Sequence, residues 1–378
     1  VLEARLANLR KALAARELDA FVSLKLVNTY YLSGFTSLDT VRPTSYVRPI
    51  VVVVDSAGAC LVLPLLDEEA AAETSGIADV RCYTGSPAPE AARAVVFERL
   101  REIGAGRIGV EEDSFTFQWL EAFKRELPGV EVVGAGDLVA QLRLVKDEEE
   151  IALLRESAAM GESAMAAALG AGIAGASDIG AETRGLVAFR EAAAQRGDQA
   201  IVDAIPMLLS GPRSSMPHEF TTGRVIEADD VMWHCWIVSY RGYWTENIRT
   251  AVAGKGDGRF DEGYELLHES LLAGQAAARP GVTAGDVYRE VMKVLKSRDL
   301  PGGTVLNRSG HGMGLEYHEP PFLEESDETV LEPGVVITIE PGLWFAGHGG
   351  LAASNTLVIR DGEPELLTRT ATDLYHAA

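Results

Sequence analysis

Two imidazoles and a carboxylate hold the chemical interest of this chain. His311 and His318 lie in Ser309-Gly310-His311-Gly312-Met313-Gly314-Leu315-Glu316-Tyr317-His318-Glu319-Pro320-Pro321, and Glu340 follows in Thr338-Ile339-Glu340-Pro341-Gly342. Imidazole titrates nearest neutrality, so it serves as a proton carrier or a metal ligand, and a nearby carboxylate suits either task. Glycines 310, 312 and 314 let backbone and ligand approach closely, which predicts a buried pocket wall and not a solvated turn. A third imidazole, His218, ends a loop of turn formers running Ser210-Gly211-Pro212-Arg213-Ser214-Ser215-Met216-Pro217-His218.

A fourth stretch supplies a thiol and a second carboxylate. Residues 231–239 and 242–252 read as two β-rich runs around Tyr240-Arg241. With those two residues as the loop, Ser239 faces Gly242 and Cys235 faces Glu246, so thiol and carboxylate address one pocket. His234 alternates to the opposite face and reads as structural. Trp233, Trp236, Trp244 and Trp344 fall close to these groups in sequence. Core packing explains them; an aromatic wall for a cationic ligand is the second reading.

The elements that must position these groups divide the chain. Leu2, Leu6, Leu9, Leu13 and Leu18 recur at helical spacing, strands are expected at 21–24, 50–54 and 59–63, and Asp55-Ser56-Ala57-Gly58 is a hairpin signal. Helices at 89–103 and 117–127 alternate with strands at 107–111 and 130–133, the pattern of an α/β domain. Asp147, with Glu150 three residues on, opens a new helix, and the domain boundary falls there: 1–142 and 143–378. The second part is helical to about 196 and then strand-rich, with helices at 260–278 and 284–298.

Composition excludes whole classes of partner. A formal net charge of -22, without a Lys/Arg-dense stripe, argues against nucleic acid and anionic membranes and favours a small cationic or zwitterionic substrate. No window approaches the roughly 18 apolar residues of a membrane span. Cys60, Cys82 and Cys235 are scattered and odd in number, so no disulfide framework is expected, and the cytoplasm is the expected compartment.

Taken together, Arg143-x-x-Lys146, Pro217-His218, Gly242-Tyr243 to Arg249-Thr250, Gly310-His311-Gly312-x-Gly314 to His318-Glu319-x-Pro321 and Glu340-Pro341-Gly342 resemble the creatinase/prolidase/methionine aminopeptidase superfamily, the pita-bread fold. The resemblance implies an N-terminal α/β domain followed by a curved antiparallel sheet covered by helices, an α+β arrangement, with the active site on the concave face and a homodimer as the assembly. Metallopeptidases of this superfamily hold two divalent ions with Asp, Asp, His, Glu and Glu. Those positions fall here on Cys235, Glu246, His311, Glu340 and Ser354, so two anionic ligands are replaced by a thiol and a hydroxyl. Two adjacent cations need several carboxylates to neutralise and bridge them, and a dinuclear centre is not expected.

Creatinase is the superfamily's metal-free precedent, and resemblance to it assigns the acid/base role to His218 and substrate-cation binding to Glu340. The leading expectation is therefore a hydrolase of a C–N bond in a guanidino, amidino or N-acyl amino-acid compound, working without any cofactor. Glu246 pairs with the substrate; His311 and His318 supply donors; Cys235 is a packing or substrate-contact residue; and Arg42 is a candidate carboxylate binder. Creatine itself fits poorly, because Ile248 and Ser354 stand where creatinase carries polar substrate contacts. Two alternatives stand beside this expectation: an Xaa-Pro dipeptidase or aminopeptidase with one divalent metal at Glu246, His311 and Glu340, and a non-catalytic binding member.

Overall fold

The computed structural model describes residues 1–37, 48–197, 201–256, 258–305 and 307–377. The chain separates into two compact units, Val1–Arg143 and Leu144–Ala378.

The first unit is a six-stranded mixed sheet with helices. Its strands are β1 (Ala20–Ser23), β2 (Val51–Asp55), β3 (Ala59–Pro64), β4 (Asp79–Tyr83), β5 (Arg107–Val110) and β6 (Glu131–Gly134), in the spatial order β4-β3-β2-β1-β5-β6. Helices α1 (Leu2–Ala15), α2 (Leu26–Ser33), α3 (Glu68–Thr74), α4 (Ala88–Ile103), α5 (Phe117–Glu126) and α6 (Gly136–Leu144) accompany them. Strands β2 and β3 form the expected hairpin, with Asp55 Oδ1 accepting from Ala57 and Gly58 N–H. Val96, Phe97 and Leu100 of α4 and Trp119 and Phe123 of α5 fill one side of the core against Val22, Val53 and Val62. The alternating pattern missed α2, α3 and β4. For α2 the reason is chemical: it is pinned by buried Glu111, whose carboxylate accepts from Ser23 Oγ, Leu24 N, Lys25 N and Asn28 Nδ2.

The second unit opens with α7 (Glu148–Ala171), started by the expected capping box between Asp147 and Glu150, and α8 (Asp178–Ala194). Strands β7 (Val202–Ser210), β8 (Val231–Tyr240) and β9 (Tyr243–Ala253) follow, then α9 (Asp261–Ala277) and α10 (Ala284–Leu295). Strands β10 (Gly303–Val305), β11 (Gly310–Gly312), β12 (Glu319–Phe322), β13 (Val336–Ile339), β14 (Gly342–Phe345), β15 (Gly349–Ala352), β16 (Ser354–Val358), β17 (Glu365–Leu366) and β18 (Tyr375–Ala377) complete it. The main sheet runs β12-β11-β13-β16-β9-β8-β7, with β17 beside β16 and β18 beside β9; β10, β14 and β15 make a smaller sheet. All pairings in the main sheet are antiparallel except β18 with β9.

The period of two along β8 decides which side chains meet the site. Met232, Trp236 and Val238 pack with Met160, Ala164, Met165 and Phe189 of α7 and α8. Trp233, Cys235 and Ile237 point the other way, into a cavity. Helices α9 and α10 cover β13 and β16 through Leu267, Leu271, Val287 and Val291 against Ile337, Ile339 and Leu357.

The β8–β9 hairpin corrects one expectation. Tyr240 pairs with Tyr243, so the loop is Arg241-Gly242 and not Tyr240-Arg241. Both loop residues have positive φ, 49° and 80°, the demand of a type I′ turn, and glycine at the second position meets it. Cys235 therefore stands opposite Ile248, and Glu246 opposite Ile237. The slip is two residues in pairing, so face parity is kept and Cys235 and Glu246 still share the cavity face as diagonal neighbours.

Candidate active site

The site is built from two rows of residues crossing the main sheet. In the first, His311 pairs with Thr338, Thr338 with Thr356, and Thr356 Oγ1 bridges to Glu246, accepting its N–H at 3.0 Å and donating to its carbonyl at 2.9 Å. In the second, Glu340 N–H donates to Ser309 O at 2.8 Å, and Ser354 pairs with Ile248, which pairs with Cys235. The glycines around His311 are sterically required. A Cβ at Gly310 would lie 2.1 Å from Thr338 O, and one at Gly312 would lie 2.3 Å from Pro320 O.

Glu246, His311 and Glu340 converge, with one ligand atom from each lying within 4.8 Å of the others. His311 Nε2 is 3.3 Å from Glu340 Oε1 and 3.9 Å from Glu246 Oε2. His311 Nδ1 lies 3.0 Å from Gly312 O, and since a carbonyl only accepts, Nδ1 carries the proton and donates. Nε2 is buried between two carboxylates without a well-formed hydrogen bond; burial opposes a charge on the imidazole, but Glu340, then Glu246, outweighs it and raises the imidazole above its ordinary value. Such an arrangement calls for a cation between the three groups. The donor set fits one divalent ion: two carboxylates and an imidazole, with Thr338 Oγ1 holding Glu246 Oε1 at 3.3 Å.

Electrostatics follow from burial. Desolvation, then the Glu340 charge, pushes the Glu246 carboxyl up to about 8. Burial opposes ionisation of Glu340 too, but the His311 imidazole outweighs it and holds this carboxyl below its usual value. Burial raises the Cys235 thiol well above its normal range, and the Glu246 and Glu340 charges add to that. Cys235 is thus a neutral thiol, consistent with a packing or contact role. Ser354 Oγ accepts Ile248 N–H at 2.9 Å and hydrogen-bonds Glu246, so its hydroxyl supports a carboxylate instead of supplying one.

The cavity has a volume of about 660 Å³. Cys235, Glu246, His311, Glu340, His318 and His218 all line it; Arg42 lies outside the described residues. The rings of His311 and His318 meet edge-on at 4.0 Å. Burial, then His311, lowers the His318 imidazole, which is neutral at pH 7. Trp233 and Trp344 form part of the wall, 5.8 Å apart between centroids, whereas Trp236 faces the helices and Trp244 packs on Tyr317. His234 is on the helix side, fully buried, its imidazole driven down to about 3 by desolvation. Sequence reading missed Arg308 and Phe322, which also line the cavity, and the buried Lys146–Glu319 ion pair at 2.7 Å behind it.

A curved antiparallel sheet with this triad on its open face defines a hydrolase of the creatinase/prolidase class. The profile of Metallopeptidase family M24 matches residues 152–361, and that of the Creatinase/Prolidase N-terminal domain matches residues 5–145. The chain belongs to metallopeptidase family M24. It is 29% identical over 374 residues to an Xaa-Pro dipeptidase of Pyrococcus furiosus, covering 98% of this chain and 99% of the relative. Among solved structures, the prolidase of Pyrococcus horikoshii OT3 superposes with a TM-score of 0.87 at 25% identity, covering 98% and 99% of the two chains. The prolidase of Pyrococcus furiosus does so with 0.82 at 27%, covering 96% and 99%.

These findings correct the expectation of a cofactor-free enzyme. Membership of a metallopeptidase family, with relatives named Xaa-Pro dipeptidase, overturns the metal-independent reading. Physically, the loss of two anionic ligands does not abolish a metal site, because the remaining three groups still converge.

Proposed function

We propose that the protein is an Xaa-Pro dipeptidase that works with one divalent ion held by Glu246, His311 and Glu340. The observation that carries this reading is the convergence of the buried His311 Nε2 with the Glu246 and Glu340 carboxylates. The substrate class is supported by the relatives named Xaa-Pro dipeptidase. A second ion has no such support, since Cys235 and Ser354 offer no carboxylate beside Glu340. When bound, the ion would polarise the scissile carbonyl and activate water.

The chain's own residues do the rest. His218, exposed at the cavity wall, carries protons between water and the leaving nitrogen. Neutral His318 donates to a substrate oxygen near His311. Trp233, Trp344, Ile205 and Phe322 make an apolar wall suited to a prolyl ring and to excluding water from the reacting bond. The proposed setting is a cytoplasmic homodimer; the three free cysteines suit a reducing compartment.

The test is metal analysis of protein purified without chelator, with hydrolysis of Gly-Pro followed alongside. One ion per chain, loss of cleavage on chelation and its return on adding metal are expected. Two ions per chain, or full cleavage after the metal has been stripped, would overturn the reading.

A further inference from the structure

A second cavity, of about 90 Å³, lies within the first unit, and none of its lining residues belongs to the triad. In a chain of net charge -22, two of the side chains lining it, Arg48 and Arg93, are cationic and none of the described lining residues is acidic. Leu26, Ile50 and Trp119 supply apolar surface beside them. Pro89, the second residue of α4, and Gln118, the second of α5, also line it, so two helices begin at this cavity. The first N–H groups of a helix lack intrahelical acceptors and carry the positive end of its dipole, which favours negative charge there.

A surface arginine or a helix end alone would not define a site. Arg93 is neither exposed nor satisfied. Its side chain is 9% exposed, and its guanidinium lies 5.8 Å from the centroid of the Trp119 ring. Nη2 donates to Glu90 Oε1 at 2.8 Å, whereas Nε and Nη1 make no hydrogen bond among the described residues. A buried guanidinium with donors unspent costs free energy until an acceptor arrives. Glu90 does not line the cavity, and it meets the guanidinium through one oxygen only. A carboxylate, planar and able to accept two bonds at once, is the group that such a fork of donors fits best.

We propose that this cavity binds the carboxylate of a small acid whose apolar body lies against Trp119, Ile50 and Leu26. Arg93 receives the carboxylate from within, and Arg48, which is exposed, attracts it from solvent. The apolar surface separates such a ligand from inorganic phosphate, which has no body to bury there. The volume restricts the occupant to a head group and a few carbons. The site belongs to the first unit and depends neither on the peptidase reading nor on any bound ion.

The experiment is a ligand-observed NMR titration of the full chain, at low ionic strength, with butyrate, its neutral counterpart butyramide, and inorganic phosphate. Butyrate should bind, and butyramide and phosphate should bind far more weakly. Arg93→Met keeps an apolar stem over Trp119 and should weaken butyrate about 10- to 100-fold, the factor expected for a lost charge-assisted pair. Arg48→Met should weaken it by a smaller factor, and the exposure of Arg48 makes that variant safe for folding should Arg93→Met fail to fold. Glu90→Gln removes the competing charge from Arg93 and should tighten binding. Butyrate affinity unchanged in Arg48→Met and Glu90→Gln would place the acid elsewhere on the chain and overturn the inference. Butyramide binding as well as butyrate, phosphate binding more tightly, or no butyrate binding by the parent would overturn it equally.

Discussion

His311 Nε2 faces Glu340 Oε1 at 3.3 Å while the opposite ring nitrogen is spent on the Gly312 carbonyl. The Gly312 carbonyl thus fixes the ring's orientation, and Nε2 is aimed into the triad. Replacing it with Ala removes the one nitrogen ligand of the triad and leaves the two carboxylates to repel each other. His311→Ala should therefore lower metal content from about one ion per chain to near zero, read by elemental analysis after dialysis. Retention of a full equivalent would place the ion elsewhere.

The two positions where carboxylates are missing allow the converse experiment. Cys235 and Ser354 flank Ile248 in the row that ends at Glu340, all on the cavity side of the sheet. Cys235→Asp combined with Ser354→Glu restores two anionic groups beside Glu340. In metal-free protein these buried charges should destabilise the fold by several kcal/mol, because nothing pairs with them. In excess divalent metal, stoichiometry should rise to two per chain and most of that stability should return. A variant that still binds one ion would show that the row is too far from the triad to share a second.

How much of this was legible beforehand depends on the kind of interaction. The glycines around His311 announced a close approach, and the Thr338 and Pro320 carbonyls are the groups they approach. The Asp147 capping box and the β2–β3 hairpin are local, and local patterns read well. The β8–β9 register was misread because Arg241 tolerates a positive φ that its residue type does not advertise. Arg308 was missed because an arginine in a polar loop looks solvated; only the fold brings Phe322 beneath it. A count of lost ligands does not reveal the cofactor, because the convergence of Glu246, His311 and Glu340 depends on three segments distant in sequence.

Behind the site, Lys146 Nζ donates to Glu319 Oε1 at 2.7 Å, with side-chain exposures of 1% and 3%. Glu319 Oε2 also accepts Glu316 N–H at 3.2 Å, so the pair ties the start of α7 to the loop that carries His318. Removing one charge strands the other in a dry interior. Lys146→Met should cost about 3–5 kcal/mol in chemical denaturation, and Lys146→Met with Glu319→Gln should recover a large part of that. Equal losses in the single and double variants would mean that packing and not charge is at stake.

Glu365 gives a pH dependence with a definite sign. Hydrogen bonds from Arg155 hold its carboxyl down to about 2, with Arg360 adding a second set, so β17 is pinned to α7 through Arg155. A carboxyl whose folded value lies below its unfolded value stabilises the protein above the unfolded value, and that contribution fades as pH falls toward the folded one. For Glu365 the window runs from the ordinary glutamate range near 4.3 down to about 2. Glu365→Gln should accordingly be less stable than the parent at pH 7, by an amount that shrinks steadily between those limits in urea titrations. A gap that stayed constant from pH 7 to pH 2 would rule out ionisation of Glu365 as its source.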